Sequence, residues 1–288
     1  MIETAPTDSL TAPGLSLLCP ICDRVLESRP GVRRCAAGHA FDMAREGYVN
    51  LLVWPGRPPT IQGDTRAMLQ ARRRFLTQGH YAPLAERLAA LAASWRPSAR
   101  VVVEGGCGEG YFIGRISPHL SSLVAAGGFD LSKEACRLAA RHYPGVTFWT
   151  GDVYRRWLLP DQSVDVALNI LSPRQPAEMW RVLRPGGLLL VVIPAVEHLV
   201  EARARYPMLG MEAHKQAKVV AQMAQFELVS AESLTYSLAL ETTALRDLLA
   251  MTPSAWHLPD PAALDLTPLS ATAAFTLLAF RRQPAKEE

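Results

Sequence analysis

Four residues near the start of the chain carry metal-binding chemistry: Cys19, Cys22, Cys35 and His39, spaced C-x2-C-x12-C-x3-H. Two close ligand pairs on two tight turns enclose zinc (Zn2+) tetrahedrally in a small ribbon, and a closed Cys3His set makes such a site structural, not catalytic. A segment of about 30 residues buries too little apolar surface to fold unaided, so the metal supplies its stability. The other reading of a C-x-x-C pair, a redox dithiol, needs a thioredoxin-like strand–helix–strand context that the flanking residues lack.

A second chemical signal lies in Val101-Val102-Val103-Glu104-Gly105-Gly106-Cys107-Gly108-Glu109-Gly110. Three β-branched residues read as a buried strand, and the glycines that follow let the backbone turn sharply and approach a ligand closely. The spacing E-x-G-x-G-x-G differs from the dinucleotide pattern G-x-G-x-x-G and suits a ligand without a pyrophosphate. S-adenosylmethionine (SAM) meets that description. Gly106, Gly108 and Gly110 would admit its methionyl part, below Glu104 at the strand's end. An acid after the next strand accepts both ribose hydroxyls, and Asp130 follows Gly106 near the roughly 20-residue interval expected for it. Asp152, after a third strand, is placed to pair with the adenine amino group. Separately, Asp130 also reads as a helix cap and Asp152 as a turn residue; their joint occurrence in this order favours SAM.

The elements that must position these residues are legible as alternation. Apolar strands at Leu123 to Phe129, Val146 to Trp149, Val164 to Leu171 and Leu188 to Ile193 are separated by helical segments, one capped by Ser132 and one at Met179 to Leu183. This rhythm predicts an α/β fold with a parallel, doubly wound sheet whose ligand lies beyond the strands' carboxyl ends. Joined to the SAM signal, the expectation is a class I SAM-dependent methyltransferase fold, Rossmann-like and mostly parallel, with an N-terminal zinc ribbon. Later strands are expected at Phe226 to Ser230, Leu234 to Leu240 and Ala273 to Phe280 around a helix at Thr243 to Met251. Upstream, Asp64 or Thr65 caps a helix through Leu76, and Leu84, Leu88 and Leu91 mark a second. The chain divides into a flexible tail (1–16), a zinc-ribbon RNA-recognition domain (17–54), a connector with helices (55–98) and the methyltransferase domain (99–288).

The 288 residues carry a net charge of +3, unevenly placed. Between Cys19 and Arg74 stand ten Arg, no Lys and five Asp or Glu, whereas the remainder is near neutral. A basic segment of this kind suits contact with a polyanion, the alternative being a solvated Arg-rich face. No apolar run of about 20 residues exists to span a bilayer. The N-terminus lacks the basic region of a secretory signal, so a cytoplasmic protein without membrane contact is expected. Five Cys, three of them in the first 35 residues, are too clustered for a disulfide framework.

The sequence resembles the large-subunit (23S) ribosomal RNA guanine-N1 methyltransferases, including the tylosin-resistance type. The resemblance rests on the Cys19/Cys22/Cys35/His39 ribbon, the run Gly38 to Leu52, Gln70 to Arg73, Gly79-His80-Tyr81, the Glu104 to Gly110 loop, Leu183 to Gly187, and Met251 to His257. It covers nearly the whole chain beyond the tail, and Leu168 to Arg174 looks more like the tylosin-resistance branch. It implies methyl transfer from SAM to N1 of one guanine in a hairpin of 23S rRNA, near the tunnel where macrolides bind, and thus a contribution to macrolide resistance. Cofactor contacts would fall on Tyr81, Gly108, Glu109 and His198, and a homodimer would set its ribbons on either side of an RNA cleft. Two positions depart from the family: Glu104 replaces the common Asp, and Gly105 an aliphatic residue. The extra glycine is expected to loosen the loop and weaken cofactor affinity.

Guanine N1 carries a proton that must be lost to a base or to water before methylation, and no residue stands out as that base. Asn169, Ser172 and Pro173 follow the fourth strand, where they are expected to grip a guanine splayed from its stack. Arg72, Arg73, Arg74, Arg33 and Arg34 are expected to hold phosphates. Two other functions fit the same residues: a small-molecule methyltransferase that kept the ribbon, and a non-catalytic zinc-ribbon RNA-binding protein.

Overall fold

The computed structural model describes residues 15–53, 64–212, 214–252, 255, 264 and 266–283. The tail up to residue 14, the Pro/Gly-rich connector Pro55 to Pro59, and Pro253, Ser254, Trp256 and His257 lie outside them.

The ribbon is an antiparallel sheet of four short strands in the order β1 (Leu17–Leu18), β2 (Val25–Arg29), β3 (Val32–Cys35) and β4 (Ala40–Asp42). Its second ligand pair sits on a turn in which the Gly38 N–H donates to the Cys35 carbonyl, at a φ of +89° that favours glycine. Few ribbon side chains are buried. Of those that are, Leu17, Leu26, Cys19 and Cys35 join a cluster that also contains Phe129, Trp149 and Trp157 from the larger body. The ribbon therefore shares its neighbour's core as well as needing a metal. Leu15, assigned above to the flexible tail, is 4% exposed and belongs to this cluster. Its side chain fills the space in front of Gly127, where a Cβ would come within 2.4 Å of it. The Leu18 N–H donates to the Leu158 carbonyl at 2.9 Å, and Arg156 pairs with Asp23 at 3.3 Å.

The segment after the ligands reads as packing between ribbon and neighbour, and it does this by joining the neighbour's sheet. β5 (Val49–Asn50) pairs in parallel with the later strand β8 (Thr147–Thr150). The Thr150 hydroxyl donates to Asn50 Oδ1 and accepts from the Leu51 N–H at 3.0 Å. Two helices follow, α1 (Arg66–Thr77) and α2 (Ala82–Trp95). Thr65, not Asp64, caps α1 by accepting the Met68 N–H. Phe75, Leu84 and Leu88 share one core with Val102 and Val166, so these helices are part of the methyltransferase body and not a linker to it.

The large sheet has eight strands in the order β11-β12-β10-β9-β6-β7-β8-β5, with β6 (Val101–Gly105), β7 (Ala125–Asp130), β9 (Val164–Ile170), β10 (Leu183–Pro194), β11 (Phe226–Leu240) and β12 (Leu269–Arg282). From β10 to β5 all neighbours run parallel, and β12 is antiparallel to β10 and β11. The two late strands expected at Phe226 to Ser230 and Leu234 to Leu240 are one strand, which absorbs a register shift between Leu228 and Ser230. Crossovers are made by α3 (Tyr111–Ile116), α4 (Lys133–His142) and α5 (Pro176–Val182), while α6 (Val200–Arg205), α7 (Lys215–Gln222) and α8 (Thr242–Met251) complete the layers. Every residue of β9 is buried, including Asp165. That carboxylate accepts the Arg100 and Val101 N–H groups at 2.9 Å and Arg184 at 2.8 Å, which makes its burial tolerable. Among the described residues no helix is long and apolar enough to cross a membrane.

Candidate metal centre and cofactor cavity

The four ribbon ligands converge. The Cys22 and Cys35 sulfurs lie 3.7 Å apart, His39 Nδ1 lies 3.5 Å from the sulfurs of Cys19 and Cys35, and all four ligand atoms fall within 4.8 Å of one another. A tetrahedral zinc ion with sulfur at about 2.3 Å and nitrogen at about 2.0–2.1 Å gives edges of roughly 3.8 Å and 3.6 Å. The donor set thus fits zinc in both chemistry and spacing, with Nδ1 as the histidine ligand.

The second site is a cavity of about 720 Å³ beyond the carboxyl ends of β6, β7, β9 and β10, where an open α/β sheet receives its ligand. Of the residues singled out in sequence, Tyr81, Glu104, Gly106, Gly108, Glu109, Asp130, Ser172, Pro173 and His198 line it. Gly106 and Gly108 have φ of +71° and +54°. A Cβ on Gly106 would sit 2.8 Å from Ser172 Cβ, so the loop and the segment after β9 meet only because that side chain is missing.

Three residues do not join them. Gly110 caps α3, and a Cβ there would strike Phe148 at 2.9 Å, so it serves packing. Asp152 accepts the Tyr154 N–H at 2.9 Å within its own turn and lies outside the cavity lining. Asn169 is fully buried: its Nδ2 donates to Ser172 Oγ (2.6 Å) and the Pro173 carbonyl (2.7 Å), and its Oδ1 accepts from Arg174 Nε (3.1 Å). It holds the loop that faces the cavity and is not itself available to a base.

Burial dominates the electrostatics of the lining. It pushes the Glu104 carboxyl well above its ordinary value, while Oε2 accepts the Ile113 N–H at 2.9 Å. Glu109 is pushed up to about 7 by burial, against the pull of Arg73 at 3.4 Å, and its Oε1 is buried with no partner among the described residues. Burial also raises Asp130, although its two oxygens accept the Gly108 and Ser132 N–H groups at 2.9 Å. Burial drives His198 down to about 4. Its Nδ1 accepts the Ala274 N–H, so the neutral ring carries its proton on Nε2 and donates to Tyr81 Oη at 3.3 Å. The Tyr81 hydroxyl proton stays uncommitted beside the cavity.

The arginines expected to hold phosphates are mostly engaged internally. Arg72 pairs with Asp64 at 2.5 Å, Arg73 with Glu109, and Arg74 makes a two-pronged contact with Asp247 on α8. Arg33 is buried and donates to the Leu15 carbonyl. Arg34 remains exposed, as does Arg24, without an ion pair among the described residues. The expectation for Gly105 also reverses. A Cβ there would lie 2.9 Å from the Trp157 ring and 3.2 Å from Phe129, so the glycine accommodates a tryptophan and does not loosen the loop. Sequence reasoning missed Arg174, Lys215 and the 208–212 loop, all of which line the cavity. Arg174 sat beside the chosen Ser-Pro pair; Lys215 had no local signal.

Residues 17–54 match the zinc-ribbon family model described as RlmA, N-terminal, and residues 102–187 a model described as Methyltransferase domain. The fold is that of a class I SAM-dependent methyltransferase. A 23S rRNA (guanine(748)-N(1))-methyltransferase of Streptomyces fradiae is 42% identical over 246 residues, covering 84% of this chain and 86% of the relative. A protein of Micromonospora griseorubida, provisionally named 23S rRNA (guanine-N(1)-)-methyltransferase, is 38% identical and covers 92% of this chain and 97% of its own length. A Bacillus subtilis protein with the same kind of provisional name is 30% identical over 253 residues, 84% of this chain and 87% of the relative. Identity sustained over this much of both partners spans ribbon and cavity alike, and the chain belongs to the 23S rRNA (guanine-N1)-methyltransferase family.

Proposed function

We propose that this protein transfers a methyl group from SAM to N1 of a guanine in a hairpin of 23S rRNA. The observation that carries the reading is one cavity, at the carboxyl ends of β6, β7 and β9, lined by both the glycine loop and the segment after β9, in a chain that also bears a zinc ribbon.

The lining fits SAM: two backbone positions cleared by glycine, an unpaired carboxylate oxygen on Glu109 and an uncommitted hydroxyl on Tyr81 are what a cationic, polar ligand requires. When bound, SAM supplies an electrophilic methyl on a sulfonium that departs as a neutral thioether. Gly106 and Gly108 admit its amino-acid end and Asp130 accepts from its ribose. Glu109 and Tyr81 hold its remaining polar groups, with His198 fixing the Tyr81 hydroxyl. Ser172 and Pro173 bound the side from which the guanine enters, held in place by Asn169. Chemistry of this kind depends on bringing N1 in line with the methyl, so the enzyme's main contribution is positioning.

The ribbon presents the RNA, through exposed Arg24 and Arg34 and not through Arg72 to Arg74. The same reading includes a cytoplasmic homodimer whose ribbons flank the RNA, checked by sedimentation, and a contribution to macrolide resistance, checked by drug susceptibility of a deletion strain. The activity is tested by incubating the protein with 23S rRNA and labelled SAM. One labelled guanine that blocks reverse transcription and yields 1-methylguanosine on digestion is expected. SAM-binding protein that leaves no such stop would sink the reading.

A further inference from the structure

The segment Asn169 to Arg174 is held more tightly than an ordinary loop. Leu171 has a φ of +52°, a conformation unfavourable for a leucine, and is 41% exposed at the cavity. Ser172 Oγ donates to the Gly105 carbonyl at 3.0 Å, tying the segment to the cofactor loop. With Asn169 Nδ2 spent on Ser172 and Pro173, its Oδ1 is turned toward Arg174 and accepts from Nε. One edge of the guanidinium is thereby fixed. Its terminal nitrogens have no hydrogen-bond or ion-pair partner among the described residues, although the side chain is half-buried and lines the cavity.

Lys215, at the start of α7, lines the same cavity. It too has no ion pair among the described residues; Glu212, which pairs with Lys218, acts on it from a greater distance. Burial lowers both cations from their ordinary values, and the charge on Arg174 lowers Lys215 further. Two partly desolvated cations lining one cavity, neither in an ion pair among the described residues, are unfavourable alone and complementary to an anion bound beside them. Tyr154 is the other titratable group that acts on Arg174, and Glu212 acts on Lys215 in the opposite direction to Arg174.

Guanine N1 becomes nucleophilic when its proton leaves, and the negative charge then spreads onto O6. Resting on the methyl-transfer reading above, we propose that Arg174 is a catalytic residue that, with Lys215, binds the guanine O6 edge and stabilises the N1-deprotonated base. The N1–H bond breaks with its proton passing to water, the electron pair left on N1 forms the bond to the methyl carbon, and the methyl–sulfur pair stays on sulfur. One proton is released per methyl transferred. No protein base is required in this scheme.

The test is the single-turnover methylation rate of the full-length protein on the 23S rRNA hairpin between pH 6.5 and 9.5, with SAM affinity measured by calorimetry for each variant. Arg174→Gln is expected to lose about 100-fold at pH 7, the scale of one oxyanion donor. Its rate should keep rising with pH where the native rate levels, so the deficit shrinks at least tenfold by pH 9.5, and SAM affinity should stay within threefold. Arg174→Lys should restore most of the rate at neutral pH, and Lys215→Gln should show the same profile with a smaller loss. A deficit constant across pH, no deficit, or loss of SAM binding in the Arg174 and Lys215 variants alike would overturn the proposal. Native protein that methylates no guanine N1 would overturn the underlying reading as well.

Discussion

The ribbon and the cavity hold their functional atoms by opposite means. The ribbon brings four ligands from 21 consecutive residues, Cys19 to His39, onto two turns, and it lacks a core of its own. The cavity draws its lining from residues as far apart as Asp64 and Thr252 and rests on two large apolar clusters. A site built from local spacing needs a metal to persist; one built from distant segments persists through packing. The two regions should therefore fail differently.

The largest effect is expected in the ribbon. Structural zinc contributes on the order of 10 kcal/mol to folding of small ribbons, so Cys35→Ser should expose the amides of β2 to β4 to hydrogen exchange at least about 100-fold faster. The amides of β6 and β9 should keep their protection. Equal loss in both regions would show that the shared cluster around Trp149, not the metal, organises the ribbon.

Next comes Gly105→Ala, which drives a Cβ to within 2.9 Å of Trp157 and should cost about 1–3 kcal/mol by overpacking. Adding Trp157→Leu should recover part of this, measured as a double-mutant cycle in urea. Additive losses would mean that Gly105 is needed for some other reason.

Glu109 gives a pH-dependent contrast that the ribbon should not share. Its carboxyl is raised by burial to about 7 from the ordinary glutamate value of 4.5. Between those values the folded chain keeps a proton that the unfolded chain has lost, so this group favours folding fully below pH 4.5 and that contribution is lost as pH rises through 7. Glu109→Gln should accordingly raise stability at pH 8 by on the order of 1–3 kcal/mol, read from urea midpoints. The same substitution should weaken SAM binding and flatten its pH dependence, since native affinity for the cationic ligand should fall by up to about tenfold per unit below pH 7.

The smallest effects belong to exposed charges. Arg34→Glu or Arg24→Glu should weaken RNA binding a few-fold, and loss of one phosphate contact lowers the salt slope by about 0.7–0.9. Arg74→Gln should leave that slope unchanged and instead lower the melting temperature, because its partner is Asp247.

This difference also decides what could be read in advance. Cys19 to His39 and Glu104 to Gly110 were legible because spacing along the chain is itself the geometry. The parallel strands were legible from apolar runs, with ends displaced by a residue or two except at β10, which begins five residues earlier, at Leu183, across a register shift. β5 was not, since two residues carry no periodicity and only their pairing with β8 defines them. Gly105 misled because its partner, Trp157, is 52 residues away. The Arg72 to Arg74 run read as a phosphate grip because Asp64, Glu109 and Asp247 cannot be assigned to it without the fold. Asn169 was expected after a strand and given the ligand's role, whereas it lies within β9 and its hydrogen bonds show it holding Arg174.

The division of labour between the two regions is tested most directly by calorimetry on zinc-loaded and zinc-stripped protein, titrated in turn with SAM and with the 23S rRNA hairpin. The account predicts SAM affinity within twofold in the two forms and at least tenfold weaker RNA binding without zinc. Loss of SAM binding in step with RNA binding, or RNA binding that survives removal of the metal, would contradict it.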